Sequence, residues 1–199
     1  MSKIKEKIGI YSGSFDPIHL GHITFALQAA EETGLAKVYL LPERVARSKE
    51  VHEHFGHRVA MIKNAIKPHR KLALLELDDR TFTVQRTLPK LRKTFAGKDL
   101  VFLFGSDKIA GIKDWPGAND LLENTEIIIG LRQGSSARQM TEETIDWPKS
   151  PLKVIPSYWP AVLSTEIRRS LQRGETANGL ARSVSSYIKK NWLYVSLNS

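Results

Sequence analysis

Two histidines, His19 and His22, lie three residues apart in the segment IGIYSGSFDPIHLGH, just beyond the point where an apolar run stops at Gly13. Gly13 and Ser14 end a strand-like stretch, Asp16-Pro17 is a turn pair, and Gly21 and His22 open an amphipathic run of helical period. A helix N-terminus carries unpaired amide donors and the positive end of the helix dipole, and so attracts phosphate. Gly13 would let the backbone approach an anion with no Cβ in the way. In a first helical turn His22 leans back toward that end, while His19 arrives from the preceding turn. The spacing therefore predicts two imidazoles flanking one phosphate. A metal pair is the rival reading, but no third ligand is evident nearby. The chain has neither G-x-G-x-x-G nor G-x-x-x-x-G-K-S/T, which removes the dinucleotide fingerprint and the P-loop.

A second segment, VLSTEIRRSL, follows the last apolar run. Ser164 or Thr165 is a natural N-cap, Glu166 suits a first turn, and Arg168 one turn in can reach an anion held at the helix start. Alone it reads as an ordinary capped surface helix; its meaning comes from pairing with the first segment. Gly105-Ser106-Asp107 ends the most apolar run, where Asp107 is either a ribose-hydroxyl acceptor or a helix cap. Trp115, before Pro116, either stacks on a flat ring or packs a turn. Arg132 is either a phosphate contact or an exposed arginine. His52, His54 and His57 in HEHFGH raise a metal question, and chance clustering in a loop is the reading preferred here.

These side chains need a scaffold. Short apolar runs at 8–14, 37–43, 71–77, 99–105, 126–132 and 153–158 alternate with helical patterns that begin near 22, 57, 84, 164 and 181. Segment 107–125 reads as two short helices around a Trp-Pro turn, and 44–56 and 133–150 read as loops. Strands buried on both faces between helices predict an α/β parallel sheet with its ligand at the C-terminal rim, near the reversal of strand order. The 199 residues suit one domain. With no cysteine, disulfides and thiolate metal sites are excluded. The N-terminal run is too short for a signal peptide, and no stretch is long enough for a membrane helix, so a cytoplasmic protein is the expectation. The net charge of +9 favours anionic partners. Aromatic residues are not interleaved with the basic runs, which speaks against nucleic acid.

GSFDPIHLGH resembles the H-x-G-H signature of the nucleotidylyltransferase superfamily. VLSTEIR resembles its I-S-S-T-x-I-R segment, with Leu163 in place of the first serine. HRVAMIKNAI, TFTVQRTL, FLFGSDKIAGIKDW, LRQG and VSSYIKKNWLY are similar, in order and over nearly the whole chain, to segments of bacterial nicotinate-nucleotide adenylyltransferases. The resemblance implies a Rossmann-like open sheet with helices on both faces and a small C-terminal helical segment. It implies adenylyl transfer from ATP to nicotinate mononucleotide, with Mg²⁺ carried on ATP. His19, His22 and Arg168 would be catalytic; Gly13, Ser14, Phe15, Gly105, Asp107, Ser164 and Thr165 would bind ATP. Lys49, Thr83, Trp115 and Arg132 would bind the acceptor. The family's P-P-H-K loop is replaced by Ala46-Arg47-Ser48-Lys49, which leaves nicotinamide mononucleotide or another phosphorylated acceptor as the alternative. A homo-oligomer is compatible with the sequence.

Overall fold

The computed structural model of the protein describes residues 5–45, 52–156 and 162–195. Six parallel strands form one open sheet in the order β3-β2-β1-β4-β5-β6. They are β1 (Lys7–Gly13), β2 (Lys37–Pro42), β3 (Leu72–Leu74), β4 (Asp99–Gly105), β5 (Glu126–Leu131) and β6 (Lys153–Pro156). The helices between them are α1 (Leu20–Glu32), α2 (Phe55–Ile66), α3 (Val84–Thr94), α4 (Ala118–Asn124) and α5 (Ala137–Glu143). A 3₁₀ helix (Ser106–Asp114) follows β4, and α6 (Ser164–Gln172) and α7 (Arg182–Lys190) come after β6.

Alternation along each strand builds two cores. Val101 and Leu103 point to one face, where Ala26 and Ala29 of α1, Met61 and Ile62 of α2, and Val184 and Ile188 of α7 pack. Leu100, Phe102 and Phe104 point to the other, against Leu88 and Leu91 of α3, Leu121 and Leu122 of α4, and Met140 of α5. Apolar residues on both faces are what a parallel sheet covered by crossover helices requires. Strand order reverses between β1 and β4, which pair in register from Lys7↔Asp99 to Ile10↔Phe102. The crevice at their C-terminal ends is the geometric consequence.

Two expectations change, and a third reaches beyond the described residues. The run at 71–77 yields only a three-residue edge strand, which pairs with β2 alone. Segment 133–150 contains α5, capped by Ser136, whose side chain accepts from the Gln139 amide. Only Met140 of that helix is buried, so its polar sequence carries no amphipathic signal. The strand that begins at Lys153 is described to Pro156, and its expected continuation to 158 lies outside the described residues. Among the described residues no helix is long and apolar enough to cross a membrane.

Candidate active site

A cleft of about 490 Å³ opens at the C-terminal ends of β1 and β4. His19, His22, Gly13, Ser14 and Phe15 line it from the loop after β1, and Gly105, Asp107 and Trp115 from the region after β4. Arg132 enters from the end of β5, and Ser164, Thr165 and Arg168 from the start of α6. Segments far apart in the chain thus converge on one space.

His19 is the N-cap of α1, and its backbone amide donates to His22 Nδ1 at 3.3 Å. That bond assigns the His22 proton to Nε2, so this nitrogen is a hydrogen-bond donor. The two rings lie 3.6 Å apart between centroids, and Phe15 meets His22 edge-on at 5.1 Å. His19 is 6% exposed. Burial, helped by the positive charge of Arg132, pushes its pKa down to about 3, so the ring is neutral near pH 7. Its Nδ1 is buried without a hydrogen-bond partner among the described residues. Not every amide at this helix start is open, because Leu20 N already donates to Gly179 O at 2.8 Å. Side chains and the dipole, more than a bare row of amides, therefore face an anion.

Phe15 holds a left-handed backbone (φ 46°), a conformation that costs a non-glycine residue on the order of 1 kcal/mol or more. A Cβ on Gly13 would come within 3.3 Å of the Phe15 ring, so the missing side chain lets that ring fold back beneath the loop. Asp16 is 2% exposed. Its Oδ1 accepts from Tyr194 Oη at 2.6 Å and its Oδ2 from the His52 amide at 2.7 Å.

The start of α6 is fastened to the same loop. Ser164 Oγ donates to Pro17 O at 3.0 Å, and Arg168 Nη1 donates to Asp16 O at 2.6 Å. Leu163 is the N-cap residue, and Ser164 therefore bridges two segments in place of the cap expected of it. Across the cleft Arg132 Nε meets Asp107 Oδ1 at 2.6 Å, with Lys108 Nζ 3.8 Å from the other carboxylate oxygen. A Cβ on Gly105 would stand 2.5 Å from Asp107 Oδ1, so a glycine there keeps room for the ion pair. Trp115, Phe82 and Phe104 form an aromatic wall, with Trp115 at 6.3 Å from Phe82 and 5.7 Å from Phe104.

Of the candidate residues that are described, Thr83 alone does not line the cleft. It caps α3, and its amide donates to Thr87 Oγ1 at 3.0 Å, which draws it away; Phe82 faces the cleft instead. Lys49, with Ala46, Arg47 and Ser48, lies outside the described residues. Sequence reasoning missed Asp16, Glu43 and Lys108, which also line the cleft. Glu43 Oε1 accepts from Ser12 Oγ at 3.2 Å and from the Phe82 amide at 3.3 Å. The Asp-Pro pair was a signal for Asp16, whereas Glu43 had none beyond its place at the end of a strand. Of the three histidines read as a loop cluster, His57 lies instead in α2 with His54 as its N-cap residue; His57 Nδ1 is hydrogen-bonded with Tyr187 Oη at 3.0 Å, and no group of three potential ligands is placed to hold a metal among the described residues.

Residues 10–170 match the family described as cytidylyltransferase-like. The chain is 31% identical over 199 residues to a protein of Neisseria gonorrhoeae (strain NCCP11945) named "Probable nicotinate-nucleotide adenylyltransferase", covering 95% of this chain and 98% of that protein. A protein of the same name from Thermus thermophilus is 32% identical over 195 residues, covering 94% and 99%. In fold the chain is similar to Plasmodium falciparum nicotinic acid mononucleotide adenylyltransferase complexed with NaAD, with a TM-score of 0.79 at 22% identity over 95% of this chain and 97% of that one. A complex of that Plasmodium enzyme with APC gives a TM-score of 0.76 at the same identity. With this breadth of similarity, the chain belongs to the cytidylyltransferase-like nucleotidyltransferases and, within them, to the nicotinate-nucleotide adenylyltransferase family.

Proposed function

We propose that the protein transfers the adenylyl group of ATP to nicotinate mononucleotide, forming deamido-NAD and pyrophosphate. The observation that carries this reading is the convergence of His19, His22 and Arg168 on one cleft that also holds an aromatic wall. An oxygen of the acceptor phosphate attacks the α-phosphorus in line. As the new P–O bond forms, the bond from the α-phosphorus to the bridging oxygen breaks, and its electron pair leaves with pyrophosphate. A phosphate nucleophile is already ionised at neutral pH, so no general base is required, and positioning and charge stabilisation carry the catalysis.

In this reading His22 donates through Nε2 to an α-phosphate oxygen, and neutral His19 adds a second polar contact from the turn. Arg168, with Ser164 and Thr165, holds the departing β- and γ-phosphates. Gly13, Ser14 and Phe15 shape the phosphate end, Gly105 and Asp107 face a ribose, and Trp115 stacks on the pyridine ring near Arg132. Mg²⁺ would be carried on the ATP phosphates and would supply charge neutralisation there. Both Asp16 carboxylate oxygens already take donors, so this buried carboxylate is engaged within the protein.

Glu43 is a specific reason to keep nicotinamide mononucleotide as a second acceptor. Its carboxylate, beside the amide of Phe82 on the aromatic wall, would repel an acidic ring substituent and tolerate an amide. Pyrophosphate release with ATP and a panel of mononucleotides tests both. We expect nicotinate mononucleotide to give the highest kcat/KM and His22→Ala to lose at least roughly 100-fold. No release with any pyridine mononucleotide, or a non-pyridine preference, would overturn the reading.

A further inference from the structure

The Asp16 carboxylate touches no reacting atom in the mechanism above, yet it is almost fully buried and both its oxygens are used. The more informative partner is Tyr194, 178 positions along the chain. Its hydroxyl donates to Asp16 Oδ1 at 2.6 Å, and its own amide donates to Glu53 Oε1 at 2.9 Å. Burial, reinforced by the Asp16 charge, holds the phenol well above the ordinary tyrosine range, so it remains a donor at any working pH. Tyr194 reaches this position with a left-handed backbone (φ 60°), a strained conformation that persists only where surrounding contacts over-determine it.

The peptide carbonyl of the same Asp16 receives Arg168 Nη1 at 2.6 Å, and the next carbonyl, of Pro17, receives Ser164 Oγ. The turn that carries His19 and the helix start that carries Arg168 are therefore aimed by one residue. That residue is in turn fixed by a hydroxyl from the segment after α7. We propose that Tyr194 is a positioning residue for adenylyl transfer, setting through Asp16 the direction of the Arg168 guanidinium toward the leaving pyrophosphate. It touches no substrate, and the route assigned to it runs through the Asp16 carbonyl to Arg168. The inference rests on the reading above, in which Arg168 stabilises charge that develops as pyrophosphate departs.

Tyr194→Phe removes one oxygen and keeps the buried ring. Steady-state pyrophosphate release, with rates expressed per ATP-binding site so that unfolded molecules do not count, should show kcat reduced roughly 10-fold and the KM for ATP little changed. Glu53→Gln keeps an acceptor for the Tyr194 amide but makes it neutral, which weakens the same segment's other anchor; it should lower the thermal midpoint and leave kcat near wild type. The deciding measurement is a double-variant cycle. If Tyr194 acts through Arg168, then Tyr194→Phe combined with Arg168→Lys is no slower than Arg168→Lys alone. A wild-type kcat in Tyr194→Phe, losses that multiply in the double variant, or an equal kcat loss in Glu53→Gln would each overturn the proposal. Absence of pyrophosphate release from the wild-type protein would instead sink the adenylyl-transfer reading, before any variant is compared.

Discussion

His19 keeps its imidazole where a positive charge is hard to sustain, buried beside Arg132 with one ring nitrogen unpartnered among the described residues. That has a consequence for stability. An ordinary histidine takes its proton near 6.5, whereas this one does so only near 3, so between those values the unfolded chain binds more protons than the folded one. Stability contributed by the neutral ring is intact above about pH 6.5 and is lost progressively as pH falls toward 3. We expect the thermal midpoint of His19→Asn, which retains a good N-cap residue, to fall less than that of the wild type between pH 6.5 and 4, as read by calorimetry at each pH. Parallel decline of the two would refute the buried-ring argument. At this scale the sequence was most readable where the geometry is local. A turn followed by a helix start brings His19 against His22 through a local bond, from the His19 amide to His22 Nδ1. The Arg168 contact could be expected but not its target, and the bond from Tyr194 to Asp16 was beyond reach, because no periodicity relates residues from opposite ends of the fold.

At the scale of elements, the rim is tied together by Arg58 in the first turn of α2, which is fully buried. Its guanidinium donates to Ser14 O at 2.6 Å, Glu43 O at 2.8 Å, Glu53 O at 3.1 Å and Arg44 O at 3.1 Å. One planar fork thus fastens the loop after β1, the end of β2 and the approach to α2. Burial pulls the guanidinium pKa down, and the nearby Asp16 charge opposes that shift without a direct ion pair. Arg58→Met should fold less stably by roughly 3 kcal/mol, since it strips the shared donor from four part-buried carbonyls, as measured by urea denaturation. Arg58→Lys should rescue little, because an ammonium cannot span four carbonyls in one plane. A loss below about 1 kcal/mol would show that water replaces the fork. The α/β alternation was legible because buried parallel strands are continuous apolar runs. Helix α5 was not, since a single buried methionine is its whole apolar face, and the edge strand β3 was overextended because, past Leu74, the Leu75 amide still bonds to Leu40 O of β2 but the apolar run goes on to Leu77 as packing rather than as strand. Ser164 was read as a cap from its type alone, but its hydroxyl has a better partner in Pro17 O across the cleft.

For the whole molecule, the expected parallel sheet holds and a cleft opens at its C-terminal rim, and the order β3-β2-β1-β4-β5-β6 supplies what residue patterns did not, namely which strands flank that cleft. The pairing of β1 with β4 has a consequence for how the chain folds and how it resists degradation. β1 can join β2 and β3 through nearby segments, but Lys7 must find Asp99 across the whole first half of the chain. Loop-closure entropy makes that union slow relative to the local pairings. The loop after β1 and the Asp107–Arg132 pair lie on opposite sides of this junction, so a nucleotide that touches both binds only the joined form. At 100 times its dissociation constant ATP should add about 2.7 kcal/mol of stability, raising the midpoint and slowing digestion by a protease that cuts the opened chain. Were digestion equally fast with saturating ATP, the nucleotide would have to be held on one side of the junction alone. With the nucleotide seated as proposed, the strand order makes the substrate a staple across the pairing that joins the two halves of the sheet.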